Sequence, residues 1–225
     1  MKILERLPRE NGRDYALRVI KDNIIHLNLE PGSQISENEL SAELGLSRTP
    51  VREALIELSK VRIIEIQPQK RSVVALIDYD LVEESRFMRN VLECAVVDLV
   101  CEMAGPEDVE RLRENIRLQK FYWDNFNPDQ LWTLDDHFHQ MLFEIARKSQ
   151  VFALMQNISI HFDRVRNMAL FSVKDPKIVQ DHESMTESIA CRDPVKTREL
   201  MEVHLSRYRI DAVVIRKAYP QYFKN

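Results

Sequence analysis

The sequence holds only 4 Gly and 3 Cys in 225 residues, and no apolar run approaches the roughly 18 to 20 residues that a membrane span needs. So few glycines leave no glycine-rich loop to cradle a phosphate. Cys94, Cys101 and Cys191 form neither a CxxC pair nor an even disulfide framework, which fits a reducing compartment and small buried apolar roles. The stretch from Met1 to Glu10 mixes charges of both signs and lacks the apolar segment of a secretory signal, so the expected location is cytoplasmic. HExxH is absent and no serine lies in a nucleophile elbow, so nothing supplies the general base of a hydrolase. What is present, 44% hydrophobic and 30% charged residues, suits a globular chain long enough for two compact domains or one large one.

The net charge of −4 hides an asymmetry, because residues 1–77 carry 12 Lys and Arg against 11 Asp and Glu, and residues 78–225 carry 20 against 25. Between Arg48 and Arg71, six basic residues (Arg48, Arg52, Lys60, Arg62, Lys70, Arg71) face only Glu53, Glu57 and Glu65, a local footprint suited to a polyanion. Ala16, Ile20, Ile24 and Leu27 recur at helical spacing, predicting an amphipathic helix over 14–28 that stops at Leu29-Glu30-Pro31-Gly32. Ser36-Glu37-Asn38-Glu39 has the form of a capping box, so a second helix is expected from there to Gly45. After the turn Gly45-Leu46-Ser47, Thr49 is expected to cap a third helix with Pro50 in its first position. Two helices about a tight Gly-containing turn make a helix-turn-helix, with Arg48 and Arg52 at the end that meets the major groove. Ile63-Ile64-Glu65-Ile66 and Ser72-Val73-Val74-Ala75-Leu76 predict a hairpin, the wing, with a basic tip. The same residues also suit an ordinary three-helix domain with a small ribbon, in which Arg48 and Arg52 are solvated helix-end charges.

Glu30-Pro31-Gly32-Ser33-Gln34-Ile35-Ser36-Glu37 and Leu46-Ser47-Arg48-Thr49-Pro50-Val51-Arg52-Glu53-Ala54-Leu55 resemble the DNA-binding domain of the GntR family of bacterial regulators over about residues 12–77. The resemblance implies operator binding by a homodimer on pseudo-palindromic DNA. Arg48 and Arg52 would contact bases or phosphates and Thr49 a phosphate, with Ser47 beside them and Lys70 and Arg71 on the wing. Two positions depart from the family pattern: Arg62 and Arg71 stand where glycine is usual, at the helix-to-strand junction and the wing tip.

From Tyr79 onward no strand pattern survives, and about six helical segments are separated by Gly105-Pro106, Asn127-Pro128, a break near Ser149, Asp175-Pro176 and Asp193-Pro194. The expected architecture is therefore mainly α: a winged helix-turn-helix of three helices and a hairpin over 1–77, then an all-helical bundle of six to seven helices over 78–225. Asp135 and His139, four residues apart, project about 40° apart on one helix face. His182 lies on the line of Met185 and Ile189, and His204 on that of Leu200, Tyr208 and Asp211, which the spacing places in the last helix. Brought together inside a bundle, the four would make a divalent site with open positions. Singly, each histidine suits a hydrogen-bonded core or rim position better than a metal ligand, and only the constellation favours an ion. His26, His137 and His161 show no such arrangement and read as structural.

Leu134-Asp135-Asp136-His137-Phe138-His139, Asp181-His182-Glu183 and Val203-His204-Leu205 look like the FadR-type C-terminal domain, FCD, over roughly 80–215. The resemblance implies a divalent cation (Zn, Ni, Mn or Fe) on Asp135, His139, His182 and His204, with a small carboxylic-acid effector beside it. Arg89 matches a family arginine that could pair with the effector carboxylate; a structural salt bridge to Glu93 is the equal alternative. A regulator that senses the ion itself, and a metal-dependent hydrolase, are the other readings of such a site.

Overall fold

The computed structural model describes residues 1–67, 71–172 and 177–224. The first domain comprises helices α1 (Gly12–Ile25), α2 (Glu37–Leu44) and α3 (Arg48–Lys60) with strands β1 (Gln34–Ile35), β2 (Ile64–Glu65) and β3 (Ser72–Val74). Apolar faces of the three helices meet in a core of Ala16, Val19, Ile20, Leu40, Val51 and Leu55. Gly45 takes the left-handed conformation (φ 63°) at the end of α2 that the turn requires. The hairpin forms as expected, and β1 adds an unforeseen third strand, giving an antiparallel sheet ordered β1-β3-β2. Two residues are too short for a periodic signal. The hairpin tip, including Lys70, lies outside the described residues.

Local corrections follow from competition for the same groups. Ser36 is the N-cap of α2 but its side chain makes no capping bond, and the Glu39 carboxylate pairs with Arg71 (3.0 Å) instead of closing the box. α3 begins at Arg48 behind Ser47, not at Pro50 behind Thr49, so both Thr49 and Pro50 lie in its first turn.

The second domain has eight helices rather than six or seven among the described residues: α4 (Tyr79–Met103), α5 (Pro106–Asp124), α6 (Pro128–Ile145), α7 (Ser149–Ile158), α8 (Ile160–Ser172), α9 (Lys177–Ala190), α10 (Pro194–Ser206) and α11 (Tyr208–Ala218). The extra breaks fall at Ser159 (φ −64°, ψ −12°) and Arg207 (φ −58°, ψ −34°), where the backbone stays helical, so no turn residue announces them. His204 thus belongs to α10, and Tyr208 to the next helix. The Asp175-Pro176 start falls outside the described residues. Cys94 and Cys101 are buried, but Cys191 is exposed beyond the end of α9. No helix among the described residues is long and apolar enough to cross a membrane.

The cores of the two domains are joined through α8. Ile160 is part of the first domain's cluster. His161 Nε2 lies 2.7 Å from the Val61 carbonyl at the end of α3, Arg164 Nη1 donates to Ala75 O (2.7 Å), and Asn167 Nδ2 donates to Ile25 O (3.1 Å). Near the C-terminus, Ile77 N donates to Tyr222 O and Lys224 N to Ile77 O, tying the chain end to the inter-domain connection.

Candidate functional site

On the first domain, Ser47, Arg48, Thr49 and Arg52 project as exposed side chains from the start of α3. Arg48, Arg52, Gln67 and Arg71 flank a cleft of about 550 Å³ whose floor includes Ser36, Glu37 and Asn38. Glu37 stands 3.5 Å from Arg48 and 3.9 Å from Arg52. Exposed pairs of that length contribute roughly 0–1 kcal/mol and leave the guanidinium groups able to move onto an anionic surface.

In the second domain, α6 carries Asp135 and His139, α9 carries His182 and α10 carries His204; α6 and α9 both pack on α5, and α9 also packs on α10. One ligating atom from each of the four lies within 4.8 Å of the other three. Spacing alone joins only Asp135 to His139; packing of three helices adds the others. His137, on another face of α6, is exposed and stays apart.

The outward Nδ1 of each imidazole faces an oxygen, and that of His182 is hydrogen-bonded to it. Asn115 Nδ2 faces the Leu134 carbonyl (3.1 Å), which can only accept, so Asn115 Oδ1 accepts from Gln119 Nε2 (2.6 Å). Gln119 Oε1 is then left to accept from His182 Nδ1 (2.9 Å), so the proton of His182 is on Nδ1 and the lone pair of Nε2 points inward. His139 Nδ1 stands 2.5 Å from Glu93 Oε2, and His204 Nδ1 is 3.5 Å from Asp181 Oδ2. Such outer partners orient and strengthen imidazole ligands of a metal. The inward Nε2 atoms of His139 and His204 are 3.2 Å apart. Two nitrogens each about 2.1 Å from one ion stand about 3.0–3.4 Å apart for bond angles between 90° and tetrahedral.

Electrostatics favour the ligating forms. Burial, then the neighbouring His204, holds His182 well below the ordinary imidazole range, and burial lowers His204. Burial pushes the Asp135 carboxyl up, but the Arg166 guanidinium first, and the imidazoles when protonated, outweigh it and hold it well below the usual carboxylate range. Neutral imidazoles and an ionised carboxylate are what a divalent ion requires. Asp135 Oδ2 and His182 Nε2 are buried without hydrogen-bond partners, a state that costs about 1–3 kcal/mol per group unless an ion or ligand meets it. The residues present therefore fit a cation.

Arg89 lines the small cavity beside these ligands, but its Nε donates to Glu93 (2.7 Å) and its Nη1 is 3.6 Å from Asp163, so the salt bridge open in the sequence does form. Glu93 in turn holds His139. Glu93, Gln119 and Asp181 carry no ligand spacing of their own, and no pattern pairs them with the histidines before the helices pack. Asp163, Arg164, Arg166 and Asn167 carry no such spacing either: they fall within an arc of about 160° of α8 that would suit a solvated face, yet all four are buried.

A winged helix-turn-helix joined to a helical bundle with a buried polar centre defines a DNA-binding transcriptional regulator with an effector domain. More narrowly, the chain belongs to the GntR family: residues 16–74 match the bacterial regulatory proteins of the gntR family, and residues 84–207 match the FCD domain. It is 30% identical over 217 residues, covering 96% of this chain and 95% of the other, to the HTH-type transcriptional repressor RspR of Escherichia coli (strain K12). E. coli McbR/YncC has the same fold, with a TM-score of 0.79 at 16% identity over 93% of this chain and 99% of that one. A putative GntR regulator from Rhodococcus sp. RHA1 gives 0.72 at 22% identity, over 92% and 98%. These relatives are regulators, not enzymes, which disposes of the hydrolase reading.

Proposed function

We propose that the chain is a repressor that binds a pseudo-palindromic operator as a homodimer and changes its affinity when a small organic acid joins a divalent cation held by Asp135, His139, His182 and His204. The observation that carries this reading is the convergence of one ligating atom from each of these four residues within 4.8 Å, with Asp135 Oδ2 and His182 Nε2 buried and without hydrogen-bond partners. When bound, the cation supplies a Lewis-acidic anchor for a carboxylate oxygen; its identity among Zn, Ni, Mn and Fe follows geometry and availability more than the ligand list. Repression is the function named for RspR. Ser47, Arg48, Thr49, Arg52 and Arg71 are the DNA-contacting residues of the described face; Lys70, which the sequence assigns to the same role, lies outside the described residues.

The test is operator binding followed by fluorescence anisotropy while cation and candidate acids are titrated separately into stripped protein. A response needing both supports the reading; a full response to the cation alone makes the ion the signal. Arg52→Ala is expected to weaken operator binding by about 1–3 kcal/mol, as loss of a base contact does. Unchanged binding by that variant would remove Arg52 from the reading set.

A further inference from the structure

We propose that the groove between α1, the end of α3 and the α7–α8 junction is a second ligand site, separate from the metal centre, and that it takes a monocarboxylate with an apolar body, the carboxylate lying on Lys21. The groove holds about 500 Å³, within the range of roughly 300–1,000 Å³ usual for small-molecule sites, whereas the cavity beside the metal ligands holds about 30 Å³. Both domains build it. Leu17 of α1, Leu58 and Val61 at the end of α3, and Ile160 at the start of α8 give it an apolar wall. Lys21 lines the same groove, four residues along α1 from Leu17 and so on the same helix face.

The charged groups around the groove are paired, with one exception. Arg18 is held by Glu10 through Nε and Nη2, at 2.8 Å each. Arg13 and Lys60 share Glu57 (3.2 and 2.8 Å), and Asp14 accepts from Asn11 Nδ2 (2.7 Å). Lys21 has no carboxylate within 4.0 Å among the described residues; its Nζ donates to Gln156 O (2.7 Å) in the last turn of α7. An ammonium carries three donors, and that carbonyl takes one. Burial holds the Lys21 ammonium below the ordinary lysine range, with Asp136 and Asp163 too far off to offset it, so an incoming anion relieves an uncompensated charge. Charge counting agrees: Arg13, Arg18, Lys21 and Lys60 exceed Glu10, Asp14 and Glu57 by one positive charge, which a single carboxylate neutralises. The apolar wall then receives the rest of the molecule. An occupant that touches both domains binds only while they are docked and stabilises that arrangement by mass action, which gives the regulator a second input.

The test is calorimetric titration of the full-length protein with octanoate, before and after chelation, with acetate and octanol as controls. The expected result is saturable octanoate binding that survives chelation and raises the melting temperature. Acetate lacks the apolar body and octanol the charge, so each should bind at least about tenfold more weakly. Lys21→Met, which keeps the aliphatic stem and removes the charge, should weaken octanoate about tenfold to a hundredfold, the effect of one lost charge-assisted hydrogen bond. Should Lys21→Met fail to fold, Asn157→Trp decides in its place: Asn157 is exposed on the rim, and a bulky side chain there should fill the groove and exclude octanoate. The proposal is overturned if the wild type binds no octanoate, if chelation abolishes the binding and so returns it to the bundle centre, if acetate or octanol binds equally well, or if the folded variant binds octanoate with wild-type affinity. Failure of the chain to take up a cation would remove the metal centre and leave octanoate binding in place, so the two sites are tested apart.

Discussion

At Arg62 the backbone sits at φ 58°, in the left-handed region where a Cβ is strained, at one of the two positions where the family usually has glycine. Arg62→Gly should relieve that strain and stabilise the fold by about 1 kcal/mol, read as a higher urea midpoint at unchanged slope. Arg71, the other departure, pairs with Glu39, which gives its side chain a place on the cleft. A second residue-scale expectation concerns His161. Burial pushes its pKa down to about 4, the contact with Val61 O offsetting only part of the effect. The unfolded chain binds this proton at about 6.5, so unfolding takes up a proton between those values and stability is present above the window and lost through it as pH falls. From pH 7 to pH 5 the loss at this site should be about 2 kcal/mol. His161→Gln, able to donate to Val61 O without titrating, should flatten that dependence in urea melts; an unchanged pH slope would show that His161 is not the group responsible.

α8 is the element on which the two functions meet. Phe162, Arg166 and Ala169 line the cavity, while His161, Arg164 and Asn167 reach main-chain carbonyls at the ends of α3, β3 and α1. Arg164 is fully buried, with burial lowering its pKa to about 10, so its bond to Ala75 O is made without water. Arg164→Ala would leave that carbonyl unmet and a void behind it, at about 2–4 kcal/mol. Because the loss falls between domains, calorimetry should resolve the single unfolding transition into two. A single transition at the wild-type temperature would show that the other contacts suffice. The individual signals for α8 were visible in the chain only as an unusual density of polar residues. Its start at Ile160 was not, since Ser159 keeps helical dihedral angles and helical periodicity runs through it.

At the scale of the molecule, a cation on ligands from α6, α9 and α10 would cross-link the bundle and stabilise it by mass action, by about 2.7 kcal/mol at a hundred times the dissociation constant. Chelation should then lower the melting temperature by about 5–10 °C. His182→Ala and His204→Ala should abolish bound metal, while His137→Ala, on an exposed face, should keep it; full metal content in either of the first two would show the ligand set to be wrong. A two-fold dimer is expected to read the operator because one helix-turn-helix spans few base pairs. Sedimentation of a stable monomer with intact specific binding would exclude it.

The helices of the first domain, the hairpin, the mainly helical second domain and the pair Asp135–His139 were determined by local sequence, because caps, glycine at positive φ and periodic apolar residues act over a few positions. The family resemblance extended this to His182 and His204. Tertiary structure alone decided what surrounds them: that Gln119 and Asn115 set the proton of His182, that Glu93 is shared by Arg89 and His139, and that Arg166 lies among Asp135, Asp136 and Asp163 at 3.4–3.7 Å. These choices depend on contacts between distant positions, such as Asp135 with Arg166, Glu93 with His139 and Gln119 with His182. Burial then makes each polar group find a partner or go unmet, and spacing along the chain cannot say which.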